Sequence, residues 1–477
     1  MGTKRMKRSA WLAMLAALMV FAFAGGARAQ DASPETAEAV HGRIVLVLPF
    51  DNRSGQPSLE WMREAAAELL TSRLGSAGFT PLSREDRLYA LDHLGLPESF
   101  QPSMASALKL AQTLDADSIV VGSFKMDGDS LEAEAQVVDV PRLQMSAAVT
   151  VRGPLPTMVD VFDRLAWKAT RVMNPQFGGS EDTFVAAGKG LRVDAFEQYI
   201  RGITDPDQTE RLQHLDAAVK LNPEFGPAWM ALGREDYAEQ QYDKAADAFA
   251  HVERGDADGL EAGFYRGLSL LFSGEYAKAQ GSFAEVARIL PLAEVLNNEG
   301  VAISRQNHDA SALFRQAVDA DPDVADYHFN LALSLKRKGD AAGALAQMAE
   351  CLKLRPGDSE AESVMKAWKT PPLAQPATAD DEATVDPLER IVRSFDATAF
   401  RQAAQMVDQM EAARLAALSP EERAQKFAAQ AKSYLNRGLL LEAERMYQSA
   451  ATADPKLATA RAGLAEVKER AGDGAGA

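Results

Sequence analysis

A 34-residue self-similarity constrains this chain more than any other feature. Gly233 and Gly267 stand 34 positions apart, as do Tyr242 and Tyr276, Ala245 and Ala279, and Phe249 and Phe283. Phe314 and Met348 repeat the interval, and so do Pro322 and Pro356. Between these blocks the step from Phe283 to Phe314 is 31, which places a shortened turn around Gln306 to Asp309. Within one period, Phe225 to Glu253, apolar residues recur every three to four positions and Gln240 and Gln241 interrupt them. That is the spacing of two amphipathic helices joined by a short turn. One such pair cannot bury its apolar face alone, so the repetition predicts helix hairpins stacked side by side. Pro291, Pro322 and Pro356 fall where second helices must end, because proline lacks the amide that continues a helix.

The pattern resembles the tetratricopeptide repeat. First helices carry Trp229-Leu232-Gly233, then Gly267, Gly300 and Leu331-Ala332. Second helices carry Ala245-Phe249-Val252, Ala279-Phe283-Val286, Ala310-Phe314-Ala317 and Ala344-Met348-Cys351. Asp236 stands where the family favours an aromatic, and Gly263 and His328 replace its usual tryptophan. Residues 196–223 read as a degenerate first unit, and the array is expected over 193–370. The resemblance implies a concave groove lined by first helices, with Arg234, Tyr237, Phe264, Asn297, Arg305 and Lys336 facing a protein or peptide partner.

Ahead of the array, residues 41–175 read as a small α/β domain. Arg43 to Phe50 is a continuous apolar run closed by Asp51, Asn52, Ser54 and Gly55, which reads as a buried strand. Leu59 to Ala77 and Ser106 to Asp115 have helical spacing. Phe79 to Ser83 reads as a short strand and Ser118 to Lys125 as a second strong one. Leu131 to Val140 and Gln144 to Arg152 follow as an antiparallel meander, and Leu155 to Met173 closes the domain as a helix. Val47-Leu48-Pro49-Phe50 with Asn52 and Ser54-Gly55, Glu68-Leu69-Leu70, and Ala111 to Asp117 ahead of the strand at 118–124 resemble the TolB-like amino-terminal domain. That resemblance implies an interaction or assembly role in the bacterial envelope rather than catalysis. The expected fold is therefore multidomain: a small α/β domain, with helices packed on a mixed sheet, followed by an all-α tetratricopeptide-type solenoid.

The first thirty residues read as a signal peptide. Lys4, Arg5, Lys7 and Arg8 precede an apolar run from Trp11 to Ala24, and Ala27-Arg28-Ala29 is a small-residue cleavage site. The run is short for a membrane span, so export by cleavage to a periplasmic or secreted location is expected, with an uncleaved amino-terminal anchor as the rival reading. Its removal strips five basic residues and no acid from a chain whose net charge is already −17. So acidic a surface repels phosphate backbones and disfavours nucleic-acid binding. Cys351 is the one cysteine, so no intrachain disulfide forms. It falls at a packing position of a second helix.

Features that invite a chemical site are weak. Asp51 to Ser54 reads as a turn, Gly188-Lys189-Gly190 lacks the Walker spacing, and six scattered histidines show no metal-ligand spacing. No cofactor and no catalytic set is expected. Residues 176–192 read as a glycine-rich hinge and 371–387 as a flexible linker. Residues 388–470 return to helical spacing as a further repeat unit and a cap. The functional expectation is a non-catalytic scaffold or adaptor of the cell envelope. The alternatives are a small-ligand protein or enzyme with its site in the α/β domain, and a component of a secretion or outer-membrane assembly.

Overall fold

The computed structural model describes residues 44–98, 103–253, 256, 258–369, 387–393, 410–411 and 413–472. The expected signal segment and residues 371–386 of the expected linker lie outside them.

The first apolar run forms strand β1 (Ile44–Val47) and, after Pro49, the short β2 (Asp51–Asn52). Its continuous hydrophobicity has a structural cause: Val45 and Val47 enter one core, while Leu46 and Leu48 enter another on the opposite face. Helix α1 (Met62–Ser76) leads to β3 (Thr80–Pro81), α2 (Arg84–His93), α3 (Met104–Thr113), β4 (Ser118–Asp127) and β5 (Ser130–Asp139). Strands β6 (Gln144–Met145) and β7 (Val149–Pro154) precede α4 (Met158–Met173). β1 lies parallel between β3 and β4, β5 is antiparallel to β4, and β7 is antiparallel to β5, so the sheet is mixed. α1 and α4 cover one face, while α2 and α3 cover the other. α2 escaped the periodicity reading. Its start is fixed by a capping box, in which Ser83 and Asp86 each accept from the other's backbone amide.

The stretch expected as a hinge contains α5 (Glu181–Ala187), whose Phe184 is fully buried. The core under α1 and α4 continues through Phe184 into α6 (Val193–Thr204), α7 (Gln208–Leu221) and α8 (Gly226–Ala238). Residues 176–192 are thus packed between the domain and the array. Their glycines fit close contacts: a Cβ on Gly188 would collide with the Asp163 carboxylate, and one on Gly178 would meet Gln448.

Successive antiparallel helices follow: α8 with α9 (Tyr242–Ala250), α10 (Gly259–Phe272) with α11 (Tyr276–Ile289), α12 (Ala293–Ser304) with α13 (Ser311–Ala320), and α14 (Ala325–Arg337) with α15 (Ala341–Leu354). α16 (Ser359–Lys369) packs on α15. The repeated glycines have one role. A Cβ on Gly233, Gly267 or Gly300 would fall 2.7–2.8 Å from the ring of Phe249, Phe283 or Phe314. Each second helix rests its phenylalanine on the bare backbone of its first helix.

The last three helices are α17 (Pro420–Asn436), α18 (Leu440–Ala453) and α19 (Ala458–Ala471). They share a core with Ala186 of α5. The buried Glu444 accepts from the Ser180 amide at 3.2 Å, Gln448 donates to the Gly178 carbonyl at 2.8 Å, and Lys189 donates to the Ala471 carbonyl at 3.1 Å. This block, expected as a repeat unit with an end cap, covers α5 beside the α/β domain, where the array begins.

Candidate peptide-binding groove

Residues 387–393, Pro-Leu-Glu-Arg-Ile-Val-Arg, are not helical, in contrast to the helical spacing read over 388–470, and the pairing of both backbone groups of residues 390 and 392 makes them extended. Residues 394–409 and 412 of that reading lie outside the described set. The segment crosses the first helices α14, α12 and α10, running against their order. The reason it is extended is visible in its partners. Asn330 accepts from the Arg390 amide and donates to the Arg390 carbonyl, both at 2.7 Å. Asn298 treats Val392 the same way, at 3.0 and 2.8 Å. Each asparagine therefore replaces one rung of a neighbouring strand. Asn297 donates to the Arg390 carbonyl at 3.1 Å and accepts from Asn330 at 2.8 Å, which fixes both amide orientations. All three asparagines are fully buried, so a missing partner would be costly.

Alternate side chains leave the strand on opposite sides. Glu389 enters a slot formed by Ser304, Arg305 and Arg337. The Ser304 hydroxyl donates to it, Arg305 Nε lies 3.2 Å away, and Arg337 makes a close ion pair. The Glu389 side chain is 1% exposed. Burial alone would raise its pKa, but Ser304 and Arg337 outweigh burial and hold it below the usual value. Arg390 points the other way. Its guanidinium bonds Asp358 through two nitrogens at 2.7 and 2.9 Å, Asp326 at 3.0 Å and Glu360 at 2.8 Å. It lies 3.7 Å from the Phe329 ring centroid. Burial works against its charge, but those carboxylates raise its pKa further. Ile391 packs on the array core and Val392 on the cluster containing Leu296 and Tyr327. Arg393 lies over Phe272 at 4.8 Å.

The residues expected to face the groove separate by what they touch. Asn297 and Arg305 touch the segment directly, Arg305 also donating to the Glu389 carbonyl at 3.2 Å. Tyr237 packs on Phe272, beneath Arg393, and burial pushes its hydroxyl up to about 12. Lys336 lies over Trp368 at 5.5 Å. Arg234 ties the array to the α/β domain, pairing Glu85 of α2 and Glu261 of α10, each at 2.7 Å. Phe264 is fully buried and edge-on to Phe283, so it belongs to the core. Asn298, Asn330, Arg337, Asp326 and Asp358 were missed. The available signal was the 33-residue interval from Asn297 to Asn330, about one repeat, with both amides inside apolar helix faces.

Elsewhere the weak motifs are structural. Asn52 accepts from the Ser54 amide and hydroxyl, closing the turn at 51–54. Lys189 caps the end of α19. Cys351 is fully buried, and burial pushes its thiol up. A cleft of about 340 Å³ between α1 and the start of the array is lined by Glu68, Arg73, Lys189 and Tyr199; burial pushes Glu68 up to about 8. No described helix is long and apolar enough to cross a membrane.

No family model matches the sequence, and no curated protein does. Solved structures are similar in part. YrrB, described as a TPR protein with an unusual peptide-binding site, is 17% identical over 38% of this chain and 96% of its own, with a TM-score of 0.34. MamA from Desulfovibrio magneticus RS-1 is 20% identical over 38% of this chain and 99% of its own, with a TM-score of 0.31. The C-terminal domain of LpoB from Salmonella enterica is 20% identical over 24% of this chain and 83% of its own, with a TM-score of 0.22. These likenesses are distant, and the helix-hairpin array stands on its own geometry.

Proposed function

We propose that this chain is an exported, non-catalytic adaptor of the bacterial envelope that holds an extended segment of a partner protein in the concave face of its helical array. One observation carries the reading: the groove already holds such a segment, residues 387–393, whose backbone is paired by Asn298 and Asn330. Backbone pairing supplies affinity that any extended peptide can use, and the flanking slots add selectivity. The α/β domain, through its resemblance to the TolB-like domain, serves as a second docking surface. The basic-apolar-small order of the first thirty residues supports export.

The test uses the full chain with residues 387–393 replaced by glycine and serine, and a fluorescein-labelled peptide of the sequence PLERIVR. Fluorescence anisotropy should show saturable binding, abolished when Asn298 and Asn330 are both changed to alanine. The unaltered chain should bind the same peptide at least about tenfold more weakly, because its tethered segment competes at an effective concentration on the order of millimolar. Absence of saturable binding to the replaced chain overturns the groove reading. Amino-terminal sequencing of the native protein should begin near residue 30; an intact Met1 overturns cleavage and export by this route.

A further inference from the structure

We infer that the groove selects partners by one dipeptide step, an acidic residue followed immediately by arginine, ahead of two branched aliphatic residues. This rests on the peptide-binding reading above and adds the chemistry of the ligand. Segment 387–393 serves as the internal template.

The argument is one of opposed slots. In an extended chain, neighbouring side chains point to opposite sides. Once Asn330 pairs the backbone of residue 390, residues 389 and 390 have no freedom to exchange sides. The side that receives residue 389 carries two guanidinium groups, Arg305 and Arg337, and the Ser304 hydroxyl. The side that receives residue 390 carries the carboxylates of Asp326, Asp358 and Glu360. A peptide with the two charges in the reverse order would set arginine against Arg305 and Arg337, and a carboxylate against three carboxylates. A one-residue slip in either direction leaves at least one of the two slots without its counter-charge.

The slots also discriminate within each charge class. The Glu389 side chain is almost wholly enclosed, so a neutral glutamine would remove the buried charge that pairs with both Arg305 and Arg337. The slot for residue 390 is built for a planar fork. Asp358 takes two nitrogens of the guanidinium while Phe329 covers its face. Lysine has a single point charge and no plane, so it cannot make both contacts. The next two residues are set by packing, Ile391 on the array core and Val392 beside Leu296.

The experiment is a peptide panel against the full chain with residues 387–393 replaced by glycine and serine: PLERIVR, the charge-reversed PLREIVR, PLQRIVR and PLEKIVR. PLERIVR should bind best, PLREIVR should lose at least about a hundredfold, and the glutamine and lysine peptides about tenfold each. Binding of PLREIVR within threefold of PLERIVR overturns the dipeptide rule and leaves the groove reading intact. Failure of all four peptides, with the replaced chain folded by circular dichroism, removes the groove reading itself. A second variant covers a replaced chain that does not fold. In the otherwise native protein, exchanging Glu389→Arg with Arg390→Glu should remove hydrogen-exchange protection from the amides of residues 390 and 392. Retained protection there also overturns the rule.

Discussion

Substituting Asn298 by alanine isolates the backbone contribution to groove occupancy. The change removes two hydrogen bonds to Val392, and the one that Asn297 donates to Asn298, without touching either charged slot. Each such bond contributes a net ~0.5–1.5 kcal/mol, and a buried polar group left unpaired costs about 1–3 kcal/mol. Val392 is only half-buried, so water recovers part of this loss. The expected weakening is about 2 kcal/mol, or roughly thirtyfold in the docking equilibrium. The readout is amide hydrogen exchange in the native chain. The Val392 amide donates to Asn298 and the Arg390 amide to Asn330, so both report on docking. If the segment leaves the groove as a unit, both amides lose protection by the same factor. If only the Val392 end frays, Arg390 keeps its protection. Changing Asn330 as well should cost less than the sum of the single changes, because Asn297 bridges the two amides. A Val392 amide that exchanges at the rate of an unstructured peptide in the native chain would refute the reasoning outright. So would one whose protection is unaffected by the substitution.

The remaining expectations concern charge and packing. Glu389, Asp326 and Asp358 are all held below the usual carboxylate range in the docked state. Docking is therefore fully favoured above their ordinary values of about 4 and lost as pH falls below that range; peptide anisotropy should be flat from pH 7 to 5 and fall below about 4. The fully buried Asp163 is paired with Arg73 at 2.7 Å, and burial pushes its carboxyl up to about 6. Changing Arg73 to methionine should cost about 3 kcal/mol in urea unfolding at pH 8 and less at pH 5, where Asp163 takes up a proton. Gly267→Ala should destabilise by about 1–2 kcal/mol, the clash with the enclosed Phe283 ring exceeding the gain in helix propensity. Gly281→Ala, which meets open space on α11, should be neutral or stabilising by up to about 1 kcal/mol, and equal effects at both sites would refute the packing account.

The array was legible because its signal is local and repeated. A glycine on one helix and a phenylalanine on the next recur at a fixed interval, and the structure places each ring on its glycine. The sheet was legible through β1, β4 and β5, whose apolar runs are long enough to read. α2 was not, because only Arg87, Ala90 and Leu91 of its ten residues are buried and most of the rest are charged or exposed. The site was half legible. Asn297 and Arg305 follow from repeat position, but Glu389 and Arg390 lie some 90 residues further along the chain, and no periodicity connects them to Asn297. Residues 388–393 read as helix because their spacing allows it. Their extended form is imposed by Asn298 and Asn330, a tertiary override of local preference. The placement of α17 to α19 on α5 was beyond the sequence for the same reason: the packing partner lies more than 250 residues away.

The chain's path explains how occupancy could be controlled without altering the groove. After α16 the polypeptide returns across the array as segment 387–393, and then supplies α17 to α19, which dock on α5 where the array begins. The segment is thus held by its own contacts and by two anchors that are independent of them. Lifting the α17–α19 block from α5 breaks the bonds of Glu444, Gln448 and Lys189 but none of those made by Asn298 or Asn330. Its effect on the groove is through effective concentration alone, which is set by how far a tethered segment can wander. A partner that engaged α5 or the block would therefore ease entry of a second peptide without competing for its slots. Substitutions at Glu444 should then change the apparent affinity for PLERIVR peptide in the intact chain and leave it unchanged once residues 387–393 are replaced. That difference separates coupling through a tether from coupling through deformation of the array.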